Sequence, residues 1–187
     1  AHPGKQLLFM GCEIGQESEW AESRELDWWL LEHPEHRGLH DLVRDLNHVY
    51  RDSPAAWAED GSAAGFEWID ADDAGRNTYS FVRRAPAGSG DPDLVCVTNF
   101  ASVPHDSYRL GLPSTGVWSE ALNTDASAYG GSGVGNLGSV LAIEGEHGAM
   151  PAHADIVVPP LATVWLRADP ARAAAPSAPP AEVEPPV

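Results

Sequence analysis

The stretch Gly88-Ser89-Gly90-Asp91-Pro92-Asp93-Leu94-Val95-Cys96-Val97-Thr98-Asn99-Phe100 sets an unbroken apolar core, Leu-Val-Cys-Val, directly after a cluster of turn residues. A short apolar run of β-formers bounded by turns reads as a central strand, paired on both edges. Working outward, residues 78–83 alternate Tyr79 and Phe81 against Thr78 and Ser80, and residues 107–112 alternate Tyr108, Leu110 and Leu112 against Arg109. Residues 66–69 precede the turn Asp72-Asp73-Ala74-Gly75, residues 117–122 follow Gly116, and residues 156–158 and 163–166 are split by Pro159-Pro160. About seven or eight short strands at this spacing predict an antiparallel β-sandwich. Pro104, Pro113, Pro159 and Pro160 all fall between the runs, as strand interiors require. Trp68, Trp118 and Trp165 are the expected core tryptophans of this unit.

Upstream the pattern changes. Leu7-Leu8-Phe9-Met10 is an apolar run closed by Gly11, expected as a strand buried on both faces. Leu39, Leu42, Val43, Leu46, Val49 and Tyr50 then fall on one helical stripe, opened by Pro34-Glu35 and stopped by Asp52-Ser53-Pro54. Strand, long loop and amphipathic helix make one βα unit, which fits an α/β barrel or a doubly wound sheet equally well. A lone parallel strand cannot bury both faces, so the start of the chain reads as a cut inside a domain. At the other end, residues 168–187 are dominated by alanine and proline and are expected to be disordered.

The loop between strand and helix is the chemically distinctive part. From Glu13 to Glu35 it holds eight acids against one base, Arg24, together with Trp20, Trp28 and Trp29. In an α/β barrel, the segment leaving the C-terminal end of a strand builds the active-site mouth. Flat rings pack on sugar faces and carboxylates accept hydrogen bonds from hydroxyls, so such a loop suits a sugar-binding mouth. The competing reading is a solvated acidic loop whose tryptophans plug a core. The substrate-contact candidates are Glu13, Trp20, Asp27 and Trp28. Glu13 and Asp27 are also a formal acid/base pair, but spacing alone does not fix their separation.

A net charge of −17 excludes nucleic acid and anionic membranes as expected partners. No apolar run approaches the ~18 residues of a membrane span. The two cysteines, Cys12 and Cys96, lie in apolar runs far apart and are expected as buried free thiols in a reducing, cytoplasmic compartment. Gly133-Val134-Gly135-Asn136-Leu137-Gly138 matches a dinucleotide-binding fingerprint by letter, but a glycine-rich loop precedes it and strand-like residues follow it. It reads as a surface loop. His33 and His36 beside Glu32 and Glu35 are the closest approach to metal-ligand spacing, and solvent-facing residues at a helix entrance explain them. No cofactor and no metal are expected.

Taken together, several blocks resemble one family. Ala1-His2-Pro3-Gly4-Lys5, Leu7-Leu8-Phe9-Met10-Gly11, Glu13, Gly15-Gln16, Glu19-Trp20 and Leu26-Asp27-Trp28 are similar to the last barrel strand and following loop of the 1,4-α-glucan branching enzymes of the α-amylase superfamily. The resemblance continues through Leu42-Val43-Arg44-Asp45-Leu46-Asn47, Gly65-Phe66-Glu67-Trp68, Leu122-Asn123-Thr124-Asp125, Tyr129-Gly130-Gly131-Ser132 and Pro159-Pro160-Leu161-Ala162-Thr163-Val164-Trp165-Leu166. It implies the end of a catalytic (β/α)8, or TIM, barrel over residues 1–56, an all-β sandwich over 57–167 and a tail over 168–187. It also implies an enzyme of glycogen biosynthesis that cuts α-1,4 links and transfers the chain to a 6-hydroxyl. The family's catalytic triad lies on earlier barrel strands, so no residue here is expected to be catalytic. The implied partners are α-1,4-glucan and the upstream part of the barrel, and the alternative is a non-catalytic carbohydrate-binding or domain-packing module. Ala21-Glu22 stands where the family has Asn-His, and Trp29 where it has histidine.

Overall fold

In the computed structural model, which describes residues 2–169, Leu94–Asn99 is buried along its whole length. The other strands are Phe66–Asp70, Thr78–Arg83, His105–Leu112, Gly116–Asn123, Ser139–His147, Met150–Val158 and Ala162–Ala168. In chain order they are β1 to β8, with Leu94–Asn99 as β3. All pair antiparallel in the order β1-β2-β3-β8-β5-β6-β7-β4. The sheet folds over on itself through β6. Its first half pairs with β5, at Gly116↔Ala142 and Trp118↔Val140, and its second half with β7, at Ile143↔His153. The result is the expected sandwich, made from one curled sheet.

The alternation along the central strands explains why they read as continuous apolar runs. Val95 and Val97 of β3, Val82 of β2 and Val164 and Leu166 of β8 point inward, against Tyr108, Leu110, Trp118, Met150 and Ile156. Leu94, Cys96, Phe81 and Trp165 point to the outer face of the same sheet, beside Leu122. An 18-residue helix, α1 (Pro34–Arg51), lies against that outer face through Leu42, Leu46, Val49 and Tyr50. Central strands with both faces covered need apolar residues at odd and even positions alike. Ala55 and Ala56, just after α1, are buried in the same outer cluster.

Arg83 is fully buried at the end of β2 and holds the connection between α1 and β1. Its guanidinium donates to Asp60 at 2.6 Å and to the Gly65 carbonyl at 3.1 Å. At the far edge, the Thr78 and Tyr108 hydroxyls lie within hydrogen-bond distance at 3.2 Å, joining β2 to β4 across the interior.

Four expectations are corrected. Residues 7–10 form no strand: Leu7 is 85% exposed, and no described strand lies beside them to complete a buried sheet. The helix of the expected βα unit is present and its strand is not. Trp68 is half-exposed, because β1 is an edge strand beyond the cover of α1. Cys12 is exposed while Cys96 is buried; both are free. The last strand, expected over residues 163–166, runs over Ala162–Ala168 and so into the expected tail, and the Asp169 amide donates to the Val117 carbonyl at 2.9 Å. The rest of the predicted tail, residues 170–187, lies outside the described residues.

These packing differences set an exchange and stability pattern. Amides of residues 94–97 are paired on both edges of β3 and should exchange slowly, whereas those of residues 7–10 should exchange near solvent rates. Equal protection of the two segments in a monomer would overturn this assignment. Leu110→Ala, in the interior, should cost about 2–5 kcal/mol, and Leu141→Ala, exposed on β6, less than about 0.5 kcal/mol, by denaturant unfolding.

Candidate functional site

The acidic loop is held by its own turns and by α1. Gly11 has φ +83°, and a Cβ there would come within 2.8 Å of Gln16. The Gly11 carbonyl accepts from the Ile14 and Gln16 amides at 3.1 and 3.0 Å, closing a 3-10 turn over Cys12–Ile14. Ile14 is buried, and its carbonyl lies 2.8 Å from His36 Nδ1 on α1. A second 3-10 turn, Trp28–Glu32, buries Leu30 and leads into α1.

Gln16 ties these two turns together. Its Nε2 donates to the Ser18 carbonyl at 3.0 Å, and its Oε1 accepts from the Asp27 amide at 2.9 Å. The Ser18 hydroxyl donates to Asp27 Oδ2 at 2.5 Å. Asp27 is therefore fixed by backbone and side chain, with Oδ1 left as an acceptor. Gln16 and Ser18 were not singled out as site residues by the sequence; an amide able to donate and accept at once, beside Gly15, was the available signal.

Of the four sequence candidates, the structure brings two together. Asp27 and Trp28 line one open cleft of about 350 Å³ with Trp29 and Arg24. Trp28 and Trp29 are both exposed, and the Trp29 ring stands edge-on to His33 at 5.9 Å. Glu13 sits on the first turn, half-buried and outside that cleft, and Trp20 stands edge-on to Phe9 at 5.7 Å. The tryptophans do not plug a core. A rigid carboxylate beside two exposed indoles can hold the hydroxyls and face of a sugar. Among the described residues, no group of three or more His, Cys, Asp or Glu side chains is placed to hold a metal. No helix among them is long and apolar enough to cross a membrane.

A larger groove of about 520 Å³ runs between residues 5–8 and the border where α1 meets the sheet. Leu7 and Leu8 form one wall, and Val43, Leu46, Tyr50 and Trp165 the other. The glycine-rich loop between β5 and β6 braces α1 from the opposite side. There the Tyr129 hydroxyl donates to Asp45 Oδ2 at 2.8 Å, and a Cβ at Gly38 would lie 2.5 Å from the Tyr129 carbonyl oxygen. The dinucleotide-like hexapeptide belongs to this loop and has no helix after it. Its Asn136 donates to Glu120 and Val157 and accepts from the Val157 amide.

Against this geometry, the family described as alpha amylase, C-terminal all-beta domain, matches residues 68–169. The chain belongs to that family. The all-beta domain is thus the sandwich from β1 to β8, with α1 on its outer face. The chain is also similar to longer proteins. It is 53% identical over 166 residues to the 1,4-alpha-glucan branching enzyme GlgB of Frankia casuarinae, covering 89% of this chain and 20% of that protein. It is 53% identical over 167 residues to the GlgB of Leifsonia xyli subsp. xyli, covering 89% and 22%. The GlgB of Cupriavidus necator is 51% identical over 170 residues, covering 91% and 22%. The chain therefore spans about a fifth of the length of the curated relatives it matches.

The brace between the all-beta domain and α1 is sensitive to alkali. Burial, and then the Asp45 carboxylate to which it donates, pushes the Tyr129 hydroxyl from 10.0 up to about 12. The Arg44 and Tyr129 hydrogen bonds hold the Asp45 carboxyl below its usual range. A group whose folded pKa is raised stabilises fully below its unfolded pKa and loses that contribution as pH rises through the folded one. Stability should therefore decline between pH 10 and about 12, and Tyr129→Phe should remove part of that decline. Identical pH profiles for the two proteins, measured by thermal unfolding, would show that the brace does not titrate.

Proposed function

We propose that this chain is the C-terminal part of a 1,4-alpha-glucan branching enzyme, which cleaves α-1,4 links and transfers the released chain to a 6-hydroxyl. The observation that carries the reading is 53% identity along 89% of the chain to a protein of that name. In this reading the carboxylate nucleophile, the acid/base and the stabilising aspartate belong to barrel strands outside this sequence. The loop over residues 11–33 is the edge of the mouth. Asp27 and Trp28 contact the glucan from one cleft, Glu13 and Trp20 from the turn beside it, and none of them carries the bond-breaking step.

The same reading gives the 520 Å³ groove an occupant. Residues 7–10 are the barrel strand in waiting, and the upstream barrel covers them together with Val43 and Leu46. Wetting such side chains forfeits roughly 1.5–3 kcal/mol each, comparable in sum with a domain's net stability. Two free thiols, one of them exposed, suit a reducing cytoplasm.

Iodine staining of amylose tests the proposal. The full-length protein carrying the upstream region should shift the colour, and this chain alone should not. A reproducible shift by this chain, or none by the full-length protein, would overturn it. In the full-length protein, Trp28→Ala should raise KM for amylose by about tenfold with a smaller change in kcat.

A further inference from the structure

The chain gives up a side chain at residue 11 to seat Gln16. A Cβ at Gly11 would meet Gln16 Cβ at 2.8 Å, and Gln16 Cδ and Oε1 at 3.0 Å each. The glutamine side chain therefore fills the space that a residue 11 side chain would take. Gly15, at φ +63°, packs directly on Leu39 and His36 of α1, so Gln16 starts from an anchored backbone.

The partners of Gln16 fix which way each proton points. The Ser18 carbonyl can only accept and the Asp27 amide can only donate. Nε2 must therefore face the first and Oε1 the second, at 3.0 and 2.9 Å. The Ser18 hydroxyl in turn donates to Asp27 Oδ2 at 2.5 Å. Oδ1 is then the remaining acceptor, on a residue that lines the cleft beside Trp28 and Trp29. Arg24, the one cation lining that cleft, is engaged elsewhere: its Nη2 donates to the Glu19 carbonyl at 2.5 Å.

We propose that Gln16 is a positioning residue for the branching reaction. It touches no substrate; it holds Asp27 as an oriented acceptor for one glucan hydroxyl beside the indole faces. The carboxylate is oriented before the sugar arrives, so binding does not have to order it. This role rests on the branching-enzyme reading above, in which Asp27 contacts the glucan.

Gln16→Glu tests the direction of the two bonds. The new carboxylate still accepts from the Asp27 amide but sets a second acceptor against the Ser18 carbonyl. Only the protonated acid restores a donor, and the carbonyl partner favours that neutral form, raising the variant's carboxyl above the usual ~4.3. Gln16→Met removes both bonds at similar length. Initial branching rates of the full-length protein against amylose concentration give the readout. Gln16→Glu should raise KM about tenfold at pH 8, with kcat changed by less than about threefold. Relative to the unsubstituted protein, that KM should fall to within about threefold at pH 5, while Gln16→Met should stay about tenfold raised at both. Amide exchange at Asp27 should quicken in Gln16→Met and not in Gln16→Glu.

KM values that both substitutions leave unchanged overturn the positioning role and spare the function. So does a Gln16→Glu defect that is equal at pH 5 and pH 8, since a side chain that only fills space does not recover with a proton. If the Gln16 variants fail to fold, Ser18→Ala decides. It removes the hydroxyl from Oδ2 and should raise KM about threefold; an unchanged KM overturns the role. No branching by the unsubstituted full-length protein overturns the branching-enzyme reading, and this role with it.

Discussion

The packing of α1 on the outer face of the sheet governs the rest of the molecule. Trp165, Phe81, Leu94 and Cys96 are large or apolar side chains on a sheet face that would otherwise meet water, and Leu42, Leu46, Val49 and Tyr50 cover them. Because the inner face is filled independently by Val95, Val97, Val164 and Leu166, the central strands are buried twice over. Each face supplies the hydrophobic stabilisation that a half-buried antiparallel sheet obtains from one. The helix in turn fixes the acidic loop, since Ile14 and Gly15 rest on His36 and Leu39. The Asp27 carboxylate is thus positioned, through Gln16 and the two turns, by the helix that completes the outer core.

How much of this was legible in the sequence depends on how strongly each face is apolar. Thr78–Arg83 and Leu94–Asn99 were readable nearly to the residue, because two buried faces leave an unmistakable run. The long hairpin of β6 and β7 was seen only at its two ends. On β7 the inward residues include Ala152 and Ala154 and the outward ones Pro151 and Asp155, so alternation is present but the apolar half is small; on β6 only Ala142 is buried and no alternation shows. Trp68 was misplaced because residue type reports a preference for burial and not whether an edge strand is covered.

The candidate site was legible as composition and not as connectivity. Acids and tryptophans in residues 13–35 marked the loop, and two of the four named residues meet in one cleft. The Gln16 bridge depends on a pair distant in sequence, Gln16 with Asp27. Local period carries no record of such pairs. Residues 7–10 show the opposite case: the period of a buried strand is present, and the strands needed to bury it are not among the described residues.

The shared strand β6 has a mechanical consequence. Its first residues are sewn to β5 and its last to β7, with no break in the chain between the two ladders. A sandwich whose layers are joined only by loops can open like a book, one layer surviving while the other melts. Here the hinge would have to pass through hydrogen-bonded backbone, so separating the layers dismantles a ladder in each. Heat or denaturant should accordingly meet a single all-or-none barrier across the eight strands, not two.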